Sequence, residues 1–252
     1  MNKPKLAVSS CLLGKKVRSN GDAAEFRPLN RTWSEHLELI EVCPEVGIGM
    51  GVPRPTPRLV KDEERISLID PMNGHDYTDK MLEYAEVQSD FLVASGISGF
   101  VFKTDSPSCG LEKVKVYRGD NPKAVRDGTG LFAKVFTTLY PHIPVIEEGS
   151  LSDPFQAEHF LARVQFFNEW LSNGKEGWTT SRLVTFHADQ KAFLLSKTPD
   201  AMRSLDKIIS KLFDSDEHPE HVALNYVTEA QKHLSVLNNK ERVAQAMERV
   251  LS

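Results

Sequence analysis

Lys5-Leu-Ala-Val-Ser-Ser-Cys-Leu-Leu-Gly14 joins a short apolar run to a turn that carries a thiol. The run is too short for a helix and is bounded by small residues, so it reads as a buried strand. The same arrangement recurs twice. Leu37-Glu-Leu-Ile-Glu-Val42 alternates apolar and acidic residues and runs directly into Cys43. Gly99-Phe-Val-Phe-Lys103 leads through Thr104-Asp-Ser-Pro-Ser108 to Cys109. Residues 114–117 and 143–146 are weaker strand candidates.

Helical signals alternate with these runs. Asp76-Tyr-Thr-Asp79 can cap a helix whose apolar face is Met81, Tyr84, Ala85, Val87, Phe91, Leu92 and Ala94, closed by Gly96. Gly130-Leu-Phe-Ala-Lys-Val-Phe-Thr-Thr-Leu139 predicts another. Strand–helix alternation implies an α/β fold, an open and mostly parallel sheet with flanking helices. The pattern then changes. Asp153 stands before Pro154 as a cap before a first turn, and helices are predicted over 155–171, 181–196, 199–213, 219–237 and 240–251. The chain therefore divides near residue 150, into an α/β domain over 1–150 and a small all-α domain over 151–252.

Composition narrows the function. No apolar run approaches the roughly 20 residues of a membrane helix, and the N-terminal apolar stretch is too short for a secretory signal. These features point to the cytoplasm and to no membrane partner. A net charge of -4 gives nucleic acid no bulk electrostatic support as a partner, though a local basic patch stays open. Three cysteines cannot all pair as disulfides, and a reducing compartment keeps thiols free.

Ligands of open parallel sheets bind outside the carboxyl ends of the strands. If the three strands are neighbours, Cys11, Cys43 and Cys109 meet at one edge. Buried structural thiols are the simplest alternative. A zinc site suits the spacing less, because zinc ligands usually pair closely, as in C-x-x-C. Iron–sulfur clusters accept widely spaced thiolates. Around the thiols, Cys43-Pro-Glu45 places a carboxylate two residues away. Ser106-Pro-Ser-Cys-Gly110 is a turn whose hydroxyls can cap backbone or touch a ligand. Arg54 and Arg58 stand among prolines, where arginines either bind substrate or simply face solvent. His187 and Lys191 share a helix face, as an anion contact or as a solvated stripe.

Together these motifs resemble the thiouracil desulfidase family. Ser9-Ser-Cys-Leu-Leu-Gly14, Val42-Cys-Pro-Glu-Val46, Pro53-Arg-Pro55, Lys103-Thr-Asp-Ser-Pro-Ser-Cys-Gly110 and Gly130-Leu-Phe-Ala133 carry the likeness. Arg182-Leu-Val-Thr-Phe-His187 with Lys191 resembles an uncharacterised helical domain often fused to it. The resemblance implies a 4Fe-4S cluster held by Cys11, Cys43 and Cys109, with one iron left open for a small thiolated base such as 2-thiouracil. It further implies non-redox release of sulfide, with Glu45 as general base and then acid and Ser106 near the reacting sulfur. Ser10, Ser108 and Asp105 would contact substrate, although Ser108 and Asp105 read equally as turn-shaping residues. Ser19-Asn-Gly-Asp22 departs from the aromatic–aspartate pair that many relatives carry after the first cysteine. Rival readings are sulfur insertion into tRNA or a small molecule, a non-catalytic cluster sensor, and a metal-free thiol enzyme using Cys109. No G-x-x-x-x-G-K loop supports ATP-dependent thiolation.

Overall fold

The computed structural model describes residues 3–63, 65–119, 123–214 and 217–236. In chain order its elements are β1 (Lys5–Ser9), α1 (Arg27–Arg31), β2 (Glu38–Val42), α2 (Pro44–Gly47), β3 (Arg58–Asp62), β4 (Arg65–Ile69), α3 (Thr78–Ala94) and β5 (Ile97–Phe102). They continue with β6 (Val114–Arg118), β7 (Val125–Gly128), α4 (Leu131–Leu139), β8 (Val145–Glu147), α5 (Pro154–Asn173), α6 (Thr180–Lys197), α7 (Met202–Asp214) and α8 (Pro219–Ser235). Two compact units emerge. One runs through Pro141 and takes up Val145–Ala157; the other holds His142–Pro144 and the chain from Glu158.

The first unit is built on a parallel sheet in the order β2-β1-β5-β8. Every residue of β5 is buried, as is all of β1 after Lys5. That is the signature of a strand covered on both faces by crossover helices. Phe100 and Phe102, two apart and so on one face, stack with centroids 3.8 Å apart and meet Phe132 and Phe136 of α4. Ser9 lies opposite Val42 and Val8 opposite Val101, so the three strands end nearly level. The parallel sheet expected from the sequence is present, with the three cysteine-bearing strands adjacent.

Helix α3 keeps its predicted place but not its whole predicted face. Met81, Ala85, Ser89 and Leu92 are buried, whereas Val87 and Phe91 are exposed. The 3.6-residue period explains this: residue 87 falls midway between 85 and 89, on the far side. Asp76 accepts the Thr78 N–H at 2.8 Å, and Gly96, at φ 77°, ends the helix.

A second sheet, β4-β3-β6-β7, departs from the sequence reading. It pairs β3–β4 and β6–β7 antiparallel and β3–β6 parallel. Residues 114–117 belong here, not in the main sheet. Strands β3, β4 and β7 escape sequence detection because they are charged and buried on one side at most. Both halves of this sheet interrupt crossovers that leave the carboxyl edge, after β2 and after β5.

The second unit is helical. Its buried residues include Phe160, Phe166, Phe167, Phe186 and Tyr226. The Thr179 side chain caps α6 by accepting the Arg182 N–H. His187 is half-buried. Its ring nitrogens bond the Tyr226 hydroxyl and the Asp206 carboxylate, each at 3.0 Å, tying α6 to α8 and α7. Lys191 is exposed. The predicted helix over 240–251, and residue 237 of the one before it, lie outside the described residues. Among the described residues no helix is long and apolar enough to cross a membrane.

Candidate active site

Each thiol is placed by the turn that follows its strand. Cys11 sits in a 3-10 turn, Ser10–Leu13, closed by Gly14 in the left-handed region at φ 84°. Cys43 stands in extended backbone as the N-cap residue of α2. Cys109 lies in a turn held from two directions. The Ser106 hydroxyl oxygen accepts the N–H groups of Cys109 at 3.0 Å and Ser108 at 3.3 Å. The N–H groups of Gly130, Leu131 and Ala133 donate to the carbonyls of Gly110, Pro107 and Ser108. Two first-turn donors of α4, Leu131 and Ala133, which have no partner within their own helix, are thus satisfied by the cysteine turn.

Gly130 permits that docking. A Cβ there would stand 2.5 Å from the Ser108 carbonyl carbon and 2.8 Å from the Cys109 nitrogen, and backbone atoms cannot swing aside. Gly130→Ala is therefore expected to destabilise the metal-free protein by about 2 kcal/mol, an overpacking cost, and to lower its melting temperature by several degrees. An unchanged melting curve would mean that the cysteine turn shifts freely.

The three cysteines line one cavity of about 330 Å³, together with Ser10, Glu45, Arg54, Lys103 and Ser106. Burial pushes the Cys11 thiol up to about 11, opposed by the nearby Lys103 ammonium and reinforced by the Cys43 sulfur. Burial likewise raises Cys43, and raises Cys109 well above the ordinary thiol value against a hydrogen bond from Ser9. Burial thus favours the protonated thiol at all three positions, Cys109 included, over the thiolate a nucleophile needs. This weakens the metal-free nucleophile reading.

Glu45 is buried, and both its oxygens are engaged. Ser108 donates to Oε1 at 3.0 Å, while Arg54 donates to Oε2 from Nε at 2.9 Å and from Nη2. Ser108 therefore faces Glu45 and does not line the cavity. Asp105 reaches the cavity wall with its carboxylate paired to Arg126, which holds it below the usual carboxylate range. Its backbone is left-handed, at φ 61°. Ser10 lies on the wall itself.

Two cations are underrated by sequence. Arg54 is buried and clamped, although it sits between prolines like a surface residue. Lys103 pairs with Glu148, whose other oxygen accepts the N–H and hydroxyl of Thr104. Arg58, the other arginine of the proline stretch, stacks its guanidinium 4.7 Å from the Tyr117 ring centroid, away from this cavity. No group of three or more His, Cys, Asp or Glu side chains among the described residues converges closely enough to hold a single metal ion. The three thiols share the cavity wall without such a group.

A family model described as 2-thiouracil desulfurase matches residues 6–148. The chain belongs to the 2-thiouracil desulfurase family. The desulfurase match contains all three cysteines, Glu45, Arg54 and Lys103, and it ends before the helices from α5 onward. A solved structure described as a 4Fe-4S-dependent thiouracil desulfidase, TudS, is similar at 28% identity. That similarity covers 60% of this chain and 95% of the other, with a TM-score of 0.46. No curated protein matches.

Proposed function

We propose that this chain desulfurates a small thiolated base, 2-thiouracil being the reference substrate, with a 4Fe-4S cluster held by Cys11, Cys43 and Cys109. Water supplies the oxygen, the thiocarbonyl becomes a carbonyl, and sulfur leaves as hydrogen sulfide with no net change of oxidation state. The observation carrying this reading is that thiols from three adjacent parallel strands open onto the same cavity as a buried carboxylate.

The donor set suits the cofactor. Thiolates are soft ligands that favour iron–sulfur clusters, and a cluster spans several irons, so its ligands need not converge on one point. Metal binding would release the protons that burial now holds on the thiols. When bound, the cluster supplies a thiophilic Lewis acid at an iron without a protein ligand.

The remaining work falls to side chains. A carboxylate offers about four lone-pair sites. Arg54 and Ser108 fill three of those on Glu45, leaving one on Oε1 to take a proton from water and return it to the leaving sulfur. The Ser106 oxygen already accepts two N–H groups, so its own proton is left to donate to substrate. Ser10 and Asp105 would border the substrate, and Ser108 would act through Glu45. The cluster-bearing part would extend to about residue 150, with the helical part over 151–252 as an accessory. The chain would work in a reducing compartment such as the cytoplasm.

Anaerobic reconstitution tests the proposal. Iron and acid-labile sulfide are expected at four each per chain, with loss of thiocarbonyl absorbance and release of sulfide on adding 2-thiouracil. A reconstituted protein without iron would refute the cluster, and a loaded protein that leaves thiobases untouched would refute the substrate.

A further inference from the structure

We propose that Arg54 is the positioning residue of Glu45, reserving Oε1 as the oxygen that handles the proton. The proposal rests on the desulfidase reading above. Arg54 carries five N–H donors in a rigid fork, and the protein takes up four of them. Nε and Nη2 hold Glu45 Oε2, Nη2 also reaches the Val17 carbonyl at 3.0 Å, and Nη1 reaches the Gly51 carbonyl at 3.1 Å.

A guanidinium so occupied, with its side chain only 5% exposed, has little left for substrate. Its geometry serves the carboxylate. Two donors on Oε2 fix the plane of the group, and Ser108 takes one site on Oε1. A carboxylate without the fork could present either oxygen to the cavity.

The clamp is itself anchored. The Arg54 N–H donates to the Ser19 carbonyl at 2.8 Å, and the Thr56 hydroxyl donates to the Ser19 hydroxyl at 2.7 Å. Prolines on either side restrict the backbone that aims the side chain. Arg54 thereby joins the Val17–Ser19 loop, which borders the cavity, to the carboxylate. Lysine would keep the charge but not the fork, because a point charge cannot hold Oε2 and two carbonyls in one plane.

The test compares Arg54→Lys and Arg54→Ala with the wild type as cluster-loaded enzymes. Iron, acid-labile sulfide and the visible spectrum report cluster content, and crystal structures of the metal-free variants report Glu45. Both variants are expected to keep their cluster and a KM within about threefold, with kcat down about 10²-fold, the scale of an ångström-level misplacement. Millimolar guanidinium chloride is expected to restore part of the rate to Arg54→Ala and none to the same variant carrying Glu45→Gln. The Arg54→Lys crystal structure is expected to show the Glu45 carboxylate rotated from its wild-type plane.

Wild-type kcat in Arg54→Lys would show that charge alone suffices and would overturn the proposal. A raised KM with unchanged kcat would make Arg54 a substrate contact, and cluster loss from Arg54→Lys would make it a structural residue; either overturns it too. If the wild type itself fails to desulfurate thiobases, the functional reading falls. The orientation of Glu45 in the metal-free variant still decides the clamp.

Discussion

Cys109→Ala is expected to yield a protein that folds but retains no stable cluster and no measurable desulfuration. Cys109 is buried at the centre of the turn held by Ser106 and α4. Losing one sulfur atom there removes little packing, so the metal-free melting temperature should move by only a few degrees. Iron binding should fail, because a cluster with two protein ligands would exchange with solvent thiols. Cys11→Ala and Cys43→Ala are expected to behave alike, since the three thiols come from adjacent strands ending nearly level. Iron and acid-labile sulfide per chain, measured anaerobically, decide the matter. A single-cysteine variant holding a full, active cluster would sink the three-thiol assignment.

Glu45→Gln separates the proton role from the structural one. The amide is nearly isosteric but cannot take a proton at neutral pH. The chemical step should slow by about 10² to 10⁴, the usual contribution of a positioned acid–base group. Stability should fall as well, because Arg54 would be left as a buried cation without its counter-charge, at a cost of about 3–5 kcal/mol. Glu45→Gln combined with Arg54→Met removes both charges and should recover much of that stability without recovering turnover. Rates are therefore compared well below the melting temperatures, on samples matched for iron. Full-rate turnover by iron-loaded Glu45→Gln would exclude the acid–base role while leaving the fold and the cluster proposal standing.

The site illustrates how a sequence can expose ligands and hide their supports. Cys11, Cys43 and Cys109 are legible because each follows a local run of strand formers, at once or through a short turn, although the strand order that makes them neighbours is not written there. Arg54 is not legible in this way. Its flanks are Pro53 and Pro55, and the partners that bury it, Glu45 and Val17, lie 9 and 37 residues away. Ser108 reads as a turn residue, and only the fold brings it to Glu45, 63 residues away in the chain. His187 shows the opposite case. Its helical spacing with Lys191 suggests a shared ligand, yet its ring is taken up by Tyr226 and Asp206 within the helical unit.

The chain by itself determined the alternation of strands and helices, the change to an all-helical pattern, and the position of three thiols after three strands. These depend on apolar periodicity and capping, which act over a few residues and are written locally. Only the tertiary structure decided that β2, β1 and β5 lie side by side, that charged segments β3, β4 and β7 form a second sheet, and that Arg54 and Ser108 close on Glu45. Those outcomes depend on which distant segments meet. Such meetings follow from burial and hydrogen-bond satisfaction summed over the whole unit, and no short window of sequence contains that sum.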